Sequence, residues 1–246
     1  MSSAFQLVLA VSSAAVVSLG CAAALALHPG PVLTRRLIGF GAGALVAAAA
    51  VDLAPDALRG GLAPGALVAA MLAGVAGFAL LERTVLRGHS HADAGHGSGF
   101  RRAAPLVLLA DAMHNVADGV VVAAAFLHSP ATGWATAFAI AAHEIPHESG
   151  AFALLRAAGW TVRATVLWNV VSALAALAAA TLAYRYLATV SRWLPALLGV
   201  VAGSFVYVAW VSIRPLLDRQ SGAPRVAFSW AAIGAFAVAG LTVLLR

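Results

Sequence analysis

A chain of 246 residues with 62% hydrophobic and only 10% charged side chains cannot present a charged surface to water, and its mean hydropathy of +0.93 assigns it to a bilayer. At about 20 apolar residues per crossing, the length admits roughly eight spans and no additional soluble domain, so one transmembrane domain over residues 1–246 is expected. The formal charge of +6 is carried entirely by arginine; scattered over loops, these residues fit topology and lipid headgroups and give no reason to expect a nucleic-acid partner.

Apolar runs separated by Arg, Pro and Gly clusters place eight spans near 5–27, 36–55, 64–82, 104–127, 134–155, 160–182, 194–213 and 226–245. The fold class expected is therefore an all-α integral membrane protein. Cys21, the single cysteine, lies in the first run and excludes both an intrachain disulfide and a cysteine-based zinc cluster. No basic residue precedes that run, so it reads as a retained span and not as a signal peptide. Trp134, Trp160 and Trp193 fall at span ends, where interfacial aromatics belong.

Loops after the odd-numbered spans hold Arg35, Arg36, Arg83, Arg87, Arg101, Arg102, Arg156, Arg163, Arg214, Arg219 and Arg225. The other side holds only Arg59, Arg185, Arg192 and Arg246. By the positive-inside rule both termini face outside. In the second span Gly43 precedes Pro55 by the same interval that separates Gly203 from Pro215 in the seventh, which aligns Asp52 with Ser212. Those spans cross in opposite directions, as in an inverted repeat of spans one to three and six to eight around spans four and five. The connection at about 84–103 carries His89, His91 and His96 among Gly, Ser and Asp, a cytoplasmic tract suited either to loose metal contact or to simple linkage.

Of nine acidic residues, four lie in the fourth and fifth spans: Asp111, Asp118, Glu144 and Glu148. Near or among them stand His114, His143 and His147, with His128 at the outer end of the fourth span. Ionisable groups at membrane depth cost at least about 2.5 kcal/mol each and mark a functional site by default. At 100° per residue, Asp111, His114, Asn115 and Asp118 share an arc of about 100°, and His143, Glu144, His147 and Glu148 one of about 140°. Two facing stripes of imidazole and carboxylate describe a metal site. Without thiolate the set suits zinc, with iron and manganese as weaker candidates. Pro146 should kink the fifth helix and free the carbonyl of Ala142, and Gly119 permits a close helix approach.

At these residues, His114-Asn115-Val116-Ala117-Asp118-Gly119 and His143-Glu144-Ile145-Pro146-His147-Glu148, the sequence resembles the ZIP (Zrt/Irt-like protein) family of metal transporters, in the branch with HNxxDG and HEIPHE motifs. The resemblance extends over the chain through the eight spans and the histidine-bearing third connection. It implies a 3+2+3 arrangement and a central site for one or two metal ions, whose ligands are His114, Asn115, Asp118, His143, Glu144 and His147. Asp111, Glu148, Asp52 and Asn169 would stand beside that site or along the pathway. Zn2+ would be carried toward the cytoplasm as substrate, with Fe2+, Mn2+ or Cd2+ as alternatives and no organic cofactor. The implied partners are divalent ions and the bilayer, with a homodimer left open.

Three departures bear on the second metal. Ser212 and Arg214 flank the region where relatives often carry an acidic residue before the seventh-span proline, Asp52 replaces a frequent histidine, and the sixth span offers only Asn169.

His143-Glu144-x-x-His147 also spells HExxH, the zinc-protease signature, so an intramembrane metalloprotease is the enzyme alternative. Against it stand Pro146 inside the motif and a polar stripe on the fourth span that a protease would leave unexplained. A metal sensor that binds without transporting is a third reading. The lysine-free, Ala- and Arg-rich composition suggests a high-GC bacterium and hence its inner membrane.

Overall fold

Hydrocarbon offers no partner for a backbone N–H or C=O, so a spanning chain must satisfy its hydrogen bonds within each segment. In the computed structural model, which describes residues 3–26, 30–87, 98–190, 192–217 and 224–245, it does so by helices. These are α1 (Ser3–Ala26), α2 (Pro31–Arg59), α3 (Pro64–Arg87), α4 (Ser98–His128), α5 (Pro130–Ala157), α6 (Val162–Val190), α7 (Leu194–Leu217) and α8 (Pro224–Leu245). Among the described residues there is no strand. At 1.5 Å per residue even the 22-residue α8 is about 33 Å long, enough to cross the hydrocarbon.

Eight helices match the eight expected spans, most of them longer at one or both ends. Seven are apolar enough to cross a membrane by length and composition alone. The eighth, α5, falls short because His143, Glu144, Pro146, His147 and Glu148 interrupt its apolar run. It is helical from Pro130 to Ala157, straight through Pro146. Ser129 opens it as an N-cap, its hydroxyl accepting from the Thr132 N–H at 3.1 Å.

The inverted repeat is visible in packing. α1 packs on α5 as α6 packs on α4, and α2 packs on α8 and α5 as α7 packs on α3 and α4. Burial follows the same pairing: 28% of the apolar span is buried in both α1 and α6, 67% in α2 and α7, and 17% in α3 and α8, so each of these six helices has an equally buried partner. Close glycine contacts fix the register. A Cβ on Gly43 would stand 1.8 Å from the Ala231 carbonyl oxygen, and one on Gly203 2.0 Å from that of Met71. Gly234 meets the Phe40 carbonyl as Gly74 meets that of Val200. Every residue in one of these contacts has its counterpart 160 positions along the chain, as Pro55 has in Pro215. Small residues that let backbones touch are the means by which membrane helices associate without a hydrophobic driving force.

The two halves differ at one turn. Residues Ala48–Leu53 of α2 form a π-helical turn, with the Ala54 N–H reaching back to the Ala49 carbonyl ahead of Pro55. α7 stays α-helical through Pro215. Asp52 lies in the widened turn, and its carboxylate accepts a hydrogen bond from the Thr242 hydroxyl of α8 at 3.2 Å.

Overpacking a tight crossing costs typically about 1–3 kcal/mol. Gly43→Ala and Gly203→Ala are therefore expected to lower the melting temperature of the detergent-purified protein. Gly240, with nothing within 4 Å of its added Cβ, should accept alanine without loss. Equal melting of all three variants would contradict the register.

Candidate metal site

The second halves of the two central helices meet along the expected stripes. On α4 Asp111, His114, Asn115 and Asp118 are all buried, as are Glu144, His147 and Glu148 on α5. The backbone of His143 continues the α5 helix, but its side chain lies outside the described residues, as do His89, His91 and His96 altogether. His128 is exposed at the end of α4.

Within the stripe, Nε2 of His114 stands 3.2 Å from Oδ2 of Asp118, one turn along. The Asn115 amide nitrogen donates to the Asp111 carbonyl at 3.0 Å and meets its Oδ1 at 3.3 Å. The same Oδ1 lies 3.8 Å from Nδ1 of His147, so Asp111 links the two helices. The imidazoles of His114 and His147 meet nearly at right angles, ring centres 5.5 Å apart. Hydroxyls from the flanking helices complete the surroundings. Ser172 of α6 faces the Asp111 carboxylate, and Ser18 of α1 faces Glu148, which also has Glu144 and Asp111 as neighbours. Among the described residues no three of these His, Asp and Glu side chains stand at chelating distance in this arrangement.

Of three cavities that border the stripe, one a small space beside Asn115, Asp118 and Glu144, two approach it from opposite ends. One, of about 320 Å³, is lined by His114 and Asp118 together with Asp52, Asp56 and Arg59 of α2, the first half of α5, and Thr242. Arg59 pairs with Asp56 at 2.5 Å. The other, of only about 10 Å³, reaches His147 between Gly41, Leu45, Gly150 and Ser212. Asp52 thus belongs to the wide mouth, some distance from the stripe's centre. Asn169 is buried on α6 with its amide nitrogen on the Thr165 carbonyl of its own helix, 2.8 Å away.

Sequence reasoning did not find Ser18, Ser172, Thr242 or Phe205. The hydroxyls sit singly in apolar helices and acquire meaning only when α1, α6 and α8 are packed. The Phe205 ring lies 4.7 Å from that of His114 and 5.4 Å from that of His147, yet in sequence it is one more apolar residue of α7.

Residues 83–242, which hold both motifs, the whole of α4 to α7 and most of α8, match the family described as ZIP Zinc transporter. The chain belongs to that family. Among similar proteins, zinc transporter ZIP4 of Homo sapiens is 41% identical over 143 residues, 57% of this chain and 21% of that protein. Zinc transporter ZIP6 of Pongo abelii is 40% identical over 136 residues, 54% of this chain and 18% of that protein. Zinc transporter ZIP10 of Homo sapiens is 33% identical over 160 residues, 57% of this chain and 19% of that protein. The aligned part of this ZIP chain thus spans about a fifth of each relative's length.

In this ZIP chain Asp111 meets Asn115 on its own helix and His147 on the next, so it orients groups on two helices. Loss of such a supporting carboxylate typically lowers metal affinity about 10- to 100-fold. Asp111→Ala should do the same for zinc, measured by calorimetric titration of the purified protein. An affinity within about twofold of the parent would show that the stripe does not depend on it.

Proposed function

We propose that this protein carries divalent transition metals, zinc first among them, through the membrane toward the cytoplasm, by way of the imidazole and carboxylate stripes of α4 and α5. The observation that carries the reading is their place between two cavities: His114 and Asp118 form the floor of the wide mouth, and His147 borders the narrow one. Groups that only tied helices together would have no need of open space at both ends. Membership in the ZIP family points the same way.

The proposed ligands are His114, Asn115, Asp118, His143, Glu144 and His147, with Asp111 and Glu148 supporting them and Asp52 on the approach. A divalent ion would draw Asp118 and Glu144 onto itself, because deprotonated carboxylate and neutral imidazole bind it better than they bind each other. Fe2+, Mn2+ and Cd2+ are the competing substrates we propose to test. His89, His91 and His96 would modulate uptake without carrying it. We place both termini outside on the arginine distribution, and the protein in a bacterial inner membrane on its lysine-free, Ala- and Arg-rich composition. The wide mouth then opens outward.

Two experiments test this. In proteoliposomes Asn115→Ala and Asp118→Ala should each lower zinc flux at least about tenfold, equivalent to roughly 1.4 kcal/mol. Parent-like flux in both, together with cleavage of a transmembrane peptide that Glu144→Gln abolishes, would replace transport by proteolysis. For orientation, His128→Cys in a Cys21→Ala background should react with a membrane-impermeant maleimide from outside, and Arg163→Cys should not. The opposite labelling would invert the topology.

A further inference from the structure

Phe205 is among the largest side chains that are fully buried, at 1% exposure. It comes from α7, which packs with α2, α3 and α4, and the histidines it touches belong to α4 and α5. Its ring centre lies 4.7 Å from that of His114 with the planes tilted by 57°, and 5.4 Å from that of His147 with a tilt of 30°. The two imidazoles are themselves 5.5 Å apart at 80°. Three rings therefore close a triangle, each pair within the range in which aromatic faces and edges attract. The phenyl ring thus packs against both imidazoles at once. The repeat supplies no second such wedge, since the counterpart of Phe205 on α2 is the aliphatic Leu45, beside the narrow cavity.

We propose that Phe205 is a positioning residue for metal selection: it fixes the angle and separation of the His114 and His147 rings and so preorganises them for a small ion that takes imidazole ligands. This rests on the proposed function in taking both histidines as ligands. Preorganisation matters most for an ion bound through nitrogen in tetrahedral geometry, as zinc is. It matters least for Mn2+, which prefers oxygen ligands in octahedral geometry and would rely on the carboxylates.

The test compares Phe205→Leu, which keeps the bulk and removes the ring, with Phe205→Tyr, which restores the ring. Binding of zinc and of Mn2+ is measured on the purified full chain, and Co2+ reports ligand geometry through its visible absorption. Phe205→Leu should weaken zinc at least about tenfold, leave Mn2+ within about threefold, and lower the intensity of the tetrahedral Co2+ band, as expected when a support for a ligand is lost. Phe205→Tyr should hold zinc within about threefold of the parent, since the ring that supports the ligands is kept. If Phe205→Leu cannot be purified folded, Phe205→Met carries the same expectations, methionine being a flexible gap-filler. Unchanged zinc affinity, equal weakening of both metals, or a tyrosine variant as defective as the leucine one would overturn the inference. A parent that binds zinc with this Phe205 dependence yet does not move it would overturn the transport reading and leave the inference standing.

Discussion

Six ionisable side chains and an amide of α4 and α5 are buried where the surrounding solvent is hydrocarbon, and each would cost several kcal/mol if nothing replaced its water. Much of the bundle answers that cost. α1 and α6 bring serine hydroxyls to the stripe, α2 and α7 shield it from lipid, and α3 and α8 lie outermost, with 17% of their apolar spans buried. The apolar surface left over, such as Phe236 and Leu244, faces outward, where lipid accepts it at no cost.

Packing around such a seam cannot use the hydrophobic effect, because lipid is as apolar as the helices. The glycine crossings of α2 on α8 and α3 on α7 supply close van der Waals contact in its place. They also leave α1, α4, α5 and α6 as a second set, which the first meets chiefly through α2 on α5 and α7 on α4. Phe205 and the Gly41–Gly150 approach both sit on that boundary.

What could be read from the sequence and what could not divide along physical lines. The stripe of Asp111, His114, Asn115 and Asp118 was legible because helical spacing is local and ionisable residues are rare in a membrane span. The repeat showed in Gly43 and Pro55 against Gly203 and Pro215, since both glycine and proline leave marks that other residues cannot. Hydropathy alone would have missed α5, whose site residues cancel its apolar signal; the motif identified it. Phe205, Ser172 and Thr242 were silent because their roles depend on which helix lies next door, and no spacing within α6, α7 or α8 encodes that. The π-turn around Asp52 was equally hidden, although a proline three residues later is its local partner.

A carrier with perfect two-fold symmetry would show a cation the same face from either side. Here the repeat is broken where Asp52 stands against Ser212. The wide mouth offers three carboxylates, Asp52, Asp56 and Asp118, to one guanidinium, that of Arg59. The end of α7 beyond Ser212 instead carries Arg214, 3.9 Å from Glu82, whose carboxylate also accepts from Tyr207. A field that concentrates cations at one mouth and not at the other makes capture fast on the first side and release unhindered by recapture on the second. On the proposed transport reading, the ion gradient would still decide which way net flux runs, but the broken repeat would give the two directions different speeds, as in a leaky diode, and added salt should narrow the difference.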